Sequence, residues 1–146
     1  MGKKSSVDEL NKLLRGELSA VETYQMALDK LDQTSPAREE VQQCMGSHQN
    51  RAILLRDQVL AAGGTPVASS GPWGAFAKVV EGTAKIFGDK AAIAALEEGE
   101  DHGLKDYKRE LDDKDCDAQT RAIVMNQLLP AQQQTHARLS ALKKQI

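Results

Sequence analysis

Leu10, Leu14, Glu17, Val21, Tyr24, Leu28 and Leu31 follow one another at alternating steps of four and three. That spacing lines all seven along one stripe of an α-helix and along neither face of a strand, so the chain has to build helices and bury their stripes against each other. One member of the stripe is a carboxylate. A desolvated glutamate among leucines is unfavourable unless a partner offsets its charge, and that partner is the first thing to look for.

The rest of the chain continues the pattern. Ser6 with Glu9 reads as a capping box opening helix 1, about residues 7–32. Ser35-Pro36 opens helix 2, about 36–62, with Val41, Met45, His48, Ala52, Leu55 and Val59 on its seam and Gly63-Gly64 as its stop. Helix 3, about 89–112, carries Ile93, Glu97, Glu100, Leu104, Tyr107 and Leu111. Helix 4, about 118–145, is expected to turn Ala122, Met125, Leu129, Gln132 or Gln133, His136 and Leu139 inward, with a kink at Pro130. Residues 63–88 form a long crossover whose Trp73, Phe76, Val79, Val80, Ile86 and Phe87 suggest a short amphipathic helix. Ala and Leu supply 35 residues while aromatics are 3%, which favours helices over sheet. The expected fold is an all-α antiparallel four-helix bundle of one domain, residues 1–146, in which the crossover makes helices 2 and 3 parallel.

The sequence also repeats itself. An offset of 83 lays Leu10, Leu13, Gly16, Glu17, Val21, Tyr24 and Leu28 on Ile93, Leu96, Gly99, Glu100, Leu104, Tyr107 and Leu111. A weaker offset of 88 pairs His48 with His136 and Leu54 with Leu142. Hairpin geometry sets Glu17 near the height of His48, and Glu97 or Glu100 near that of His136. Glu17, His48, Glu97, Glu100 and His136 are thus candidate ligands of a divalent cation at the bundle centre, since carboxylate and imidazole suit iron, zinc or manganese. The alternative is a pair of buried ion pairs, Glu17 with His48 and a helix 3 glutamate with His136. Cys44 and Met45 share the face of His48 and would bring copper(I) or zinc into play, or else fill the core. Tyr24 and Tyr107 either hydrogen-bond to the site or are core aromatics.

Glu17, His48, Glu100 and His136 in that order on four helices, with the long second connection, resemble the ferritin-like superfamily of ferritins, bacterioferritins and rubrerythrins. Leu128-Leu129-Pro130 followed by Thr135-His136 is similar to small bacterial ferritin-like domains of unknown function, and Glu97-x-x-Glu100 resembles the paired glutamates of rubrerythrins. Met45 and Gln133 stand where the superfamily has its two bridging glutamates, so the resemblance implies a single ion, iron or zinc, in place of a di-iron centre. It also implies a link to metal or oxidative-stress handling and, if the chain is an enzyme, a metal-dependent oxidoreductase. A metal-free interaction or structural module with a degenerate site is the competing expectation.

Composition narrows the partners. A net charge of -2 carries no footprint for nucleic acid or anionic membrane. No apolar run reaches the length of a membrane span and the first residues lack a signal-peptide pattern, so the expected location is cytoplasmic. Trp73 and Phe76 either cap the bundle or offer a patch for assembly into a homo-oligomer. Glu22, Glu98 and His102 fall off the seams and are expected in solvent.

Overall fold

The computed structural model describes residues 6–73 and 88–146. Four rods of helix make the bundle: α1 (Ser6–Lys30), α2 (Ala37–Ala61), α3 (Gly88–Asp112) and a fourth rod of α4 (Ala118–Ile123), a π-turn (Val124–Leu128) and α5 (Leu129–Gln145). No strand occurs among the described residues. α1 packs chiefly on α2 and α3 chiefly on α5, as two hairpins. The short crossover helix expected from the sequence falls on 74–87, outside the described residues.

Both hairpin turns are closed in the same way. Arg38 donates to the carbonyl of Leu28 at 2.8 Å, and Arg121 to that of Leu111 at 2.5 Å. Arg38 and Arg121 are 83 residues apart, as are their acceptors, so the offset seen in α1 and α3 extends into the turns. Ser35 accepts from the Ala37 N–H at 3.2 Å, and Asp117 caps α4 through the Thr120 N–H at 2.7 Å. The Ser6 hydroxyl donates to Asp117 on the opposite hairpin, so the expected capping box with Glu9 gives way to a contact between halves.

α2 stops at Gly63, whose φ of +83° suits glycine alone, and Gly64 donates back to Val59 at 3.0 Å. From there the chain climbs along α1. Asn11 holds Thr65 and Val67, Glu22 accepts from the backbone of Ser70 and Gly71, and Thr23 accepts from that of Trp73. Glu22 therefore anchors the crossover and does not simply face solvent. α3 begins at the far end, where Asp89 accepts from the Asp32 N–H at 3.2 Å. α2 and α3 consequently run parallel, as the long connection implied.

The fourth rod departs from its expected phase. Leu129 donates to the carbonyl of Val124, five residues back, in a π-turn immediately before Pro130. Proline has no N–H for the fourth carbonyl behind it, that of Asn126, and its ring would press on that carbonyl; a widened turn relieves both. The extra residue rotates the remainder of the rod by about 100°. Val124, Leu128, Gln132, Thr135, Leu139 and Leu142 are buried, whereas Ala122, Met125 and Gln133 are exposed.

Candidate functional site

Halfway along the bundle all four rods contribute polar side chains to one buried cluster. Glu17 of α1, His48 and Arg51 of α2, Glu100 of α3, and Gln132 and Thr135 of α5 are each no more than 4% exposed. The imidazole of His48 lies between the two carboxylates, with Nδ1 at 2.6 Å from Glu17 Oε1 and Nε2 at 2.5 Å from Glu100 Oε2. Arg51 spans the same space. It donates to Glu17 Oε2 at 3.4 Å, to Thr135 Oγ1 at 3.1 Å and to Gln132 Oε1. Two carboxylates are thus faced by one guanidinium and one imidazole, and with His48 protonated the formal charges sum to zero.

The neutral groups orient the charged ones. Gln132 donates to the Glu100 backbone carbonyl at 2.8 Å and to Oε1 at 2.9 Å, and Thr135 donates to Oε1 at 2.6 Å. Gly103 makes room for Gln132, because a Cβ there would stand 2.6 Å from its amide nitrogen. The tyrosines cross between α1 and α3. Tyr24 donates to Glu100 and Tyr107 donates to Glu17, which is the exchange that a local twofold relation demands. Tyr24 also leans on the His48 ring, with centroids 5.1 Å apart.

Electrostatics follow from these contacts. Burial pushes Glu17 up, but His48 and Arg51 outweigh it and hold the carboxyl below its ordinary range. Glu100 behaves alike: burial raises it, and His48, Thr135 and Tyr24 bring it down further. Burial alone would make His48 less basic, yet Glu17 and Glu100 together raise it above its ordinary 6.5. Desolvation and the adjacent carboxylates drive both tyrosine hydroxyls well up, so they remain donors. A cavity of about 630 Å³ between α1 and α3 reaches Glu17, His48, Tyr107 and Gln132.

Not every expected residue comes to this cluster. Glu97 stays outside it, half-buried towards α5, where it accepts from Lys143 at 2.9 Å. His136 is also outside, 3.7 Å from Asp101, because the buried stripe of α5 runs through Gln132, Thr135 and Leu139. Gln133, beside the buried Gln132, is exposed. Cys44 is fully buried in apolar surroundings, its thiol pushed up to about 12 by desolvation first and then by Glu100, and Met45 packs at the rim of the same core. Arg51 and Gln132, in contrast, were not foreseen as a cationic partner and an orienting amide. The signal for Arg51 was its step of three from His48, which keeps the two on one helical face.

A family described as a domain of unknown function (DUF2383) matches residues 5–113, which take in α1, α2 and α3. The chain belongs to this family. The matched segment of this chain includes Glu17, His48, Arg51, Glu100 and both tyrosines, while Gln132 and Thr135 lie beyond it. No match was found among curated proteins or among solved structures.

Proposed function

We propose that this chain is a ferritin-like bundle whose central cations are its own side chains, and that it works as a metal-independent interaction or structural module. Arg51 carries this reading. Its guanidinium occupies the middle of the cluster, bonded to groups from α1 and α5, and with protonated His48 it balances Glu17 and Glu100. Such a network ties four rods at one height, which favours a single packing register over alternatives.

The competing reading is one iron or zinc ion on Glu17, His48 and Glu100, tied to metal or oxidative-stress handling, with copper(I) on Cys44 and Met45 as its soft variant. The donor set fits an ion poorly. A metal binds imidazole through a free lone pair, and both nitrogens of His48 are engaged by carboxylates at 2.6 and 2.5 Å. An ion would also have to expel Arg51, leaving a guanidinium to be buried elsewhere or exposed. For copper(I), the Cys44 thiol sits in a setting that opposes the thiolate.

Elemental analysis of full-length protein purified without a chelating tag separates the two. The expected result is far less than one iron or zinc per chain and a Tm that an added equivalent of iron or zinc leaves unchanged. Stoichiometric metal that disappears in a His48→Ala variant, with the fold retained, would overturn the proposal in favour of the ion.

A further inference from the structure

Trp73 sits in a seat built by both hairpins. Its backbone N–H donates to Thr23 Oγ1 of α1 at 2.7 Å, and its ring lies so close over Gly99 of α3 that a Cβ there would collide with it. The ring meets Tyr24 edge-on with centroids 5.9 Å apart, and His48 at 6.3 Å. A local twofold relation that builds one such seat builds two. The 83-residue offset carries Thr23 to Asp106, Tyr24 to Tyr107 and Gly99 back to Gly16; beyond the π-turn the offset of 84 carries His48 to Gln132. All four counterparts line the cavity of about 630 Å³ between α1 and α3.

The chain holds a single tryptophan, so it fills one of the two seats. A Cβ on Gly16 would meet no described atom within 4 Å, whereas its mate Gly99 is covered. Glycine inside a helix is unfavourable, and no described neighbour of Gly16 requires the missing side chain; a ring laid against the helix does. The volume is also that of a ligand pocket, about 300–1,000 Å³. Its polar floor is committed already: Tyr107 donates to Glu17, and Gln132 donates to Glu100 and accepts from Arg51. What the cavity offers an occupant is therefore flat and apolar, Gly16 with Leu13 and Ala20 on α1 and the Tyr107 ring on α3, with Asp106 as an acceptor at the rim. Asp106 accepts from exposed Arg109 at 3.0 Å, a surface pair that leaves a carboxylate further acceptor capacity.

We infer that the cavity between α1 and α3 binds a flat, fused-ring aromatic molecule bearing an amine, its ring against Gly16 and Tyr107 and its donor on Asp106. Edge-on contact with Tyr107 reproduces the contact of Trp73 with Tyr24. Neutral Thr23 serves a backbone N–H, and the charged Asp106 in its place suits an ammonium. The site does not depend on whether the Arg51 cluster is free of metal.

The test is isothermal titration calorimetry of the full-length protein with tryptamine, which joins an indole ring to an ammonium, beside indole and cyclohexylethylamine. One tryptamine should bind per chain, and cyclohexylethylamine roughly tenfold more weakly or not at all. Gly16→Leu fills the seat and replaces a helical glycine, so it should weaken tryptamine roughly tenfold or more with Tm unchanged or raised. Asp106→Asn, at an exposed position, should weaken tryptamine about threefold and leave indole unaffected. No saturable binding of tryptamine or indole at millimolar concentration would overturn the site, as would binding that Gly16→Leu leaves undiminished. Equal affinity for cyclohexylethylamine would also overturn it, because the seat would then not select an aromatic ring. So would self-association of the native chain that Gly16→Leu abolishes, since the seat would then belong to a side chain of a second copy.

Discussion

The two hairpins share a plan and differ in charge. With the 83-residue offset, Glu17 falls on Glu100, Tyr24 on Tyr107, Arg38 on Arg121 and Val41 on Val124; past the π-turn the offset becomes 84 and sets Leu55 on Leu139, both buried. At the two positions that matter most the halves part company. The first half has His48 and Arg51, and the second has Gln132 and Thr135. One pair of cations is enough for two carboxylates, and a second pair would leave the interior with excess positive charge. The neutral half therefore serves a different purpose: Gln132 and Thr135 accept from Arg51 and donate to Glu100, locking the guanidinium in place. Like scaffolds thus divide a polar core into a charge-bearing side and an orienting side.

The largest expected effect comes from removing the charge. Arg51→Met should destabilise the fold by about 3–5 kcal/mol at neutral pH in denaturant unfolding, since it leaves a buried carboxylate unbalanced. The matching change in the other half, Thr135→Val, should cost about 1–3 kcal/mol, because one hydrogen bond to a charged group is lost. Equal losses at the two positions would break the proposed division. Tyr24→Phe and Tyr107→Phe are the symmetric control. Each removes one donor from one buried carboxylate, so their losses, about 1.5–3 kcal/mol, should agree with each other.

The pH profile sharpens the same contrast. His48 is raised above its ordinary 6.5, so its contribution is complete below that value and fades as pH climbs through the folded value. Glu17 and Glu100 are lowered from 4.5, so theirs is complete above that value and is lost as pH falls through the folded values. Tm should therefore be highest between 4.5 and 6.5. His48→Gln should flatten the alkaline limb and leave the acid limb standing. The smallest effect is expected at the π-turn: deleting exposed Met125 together with Pro130→Ala should restore ordinary helix, keep Leu128 through Leu142 inward, and change stability by no more than roughly 1 kcal/mol.

Much of this was legible before the fold was known. Apolar periodicity and the Ser35-Pro36 and Gly63-Gly64 signals located the helices to within two residues, because caps and seams are local. Glu17, His48 and Glu100 were conspicuous as polar residues on apolar stripes, and the structure gathers those three. Glu97 and His136 fall outside the cluster because a seam drawn on 3.6 residues per turn does not fix which of its neighbouring polar residues faces inward: on α3 it is Glu100, and the fourth rod buries the stripe Val124, Leu128, Gln132, Thr135 and Leu139. Arg51 escaped because arginine on a helix is usually solvated, and only the tertiary packing of α5 over it reveals that it is buried. The weak 88-residue echo, likewise, is replaced by an offset that changes from 83 to 84 at the π-turn.

The protonation of His48 bears most directly on the charge balance at the centre. Nitrogen-15 NMR of the imidazole in untagged full-length protein at neutral pH should find both ring nitrogens protonated, with shifts that neither a chelator nor an equivalent of zinc alters. A neutral ring with one free lone pair, or a nitrogen signal that moves on adding zinc, would contradict an interior in which Arg51 and His48 together supply the positive charge.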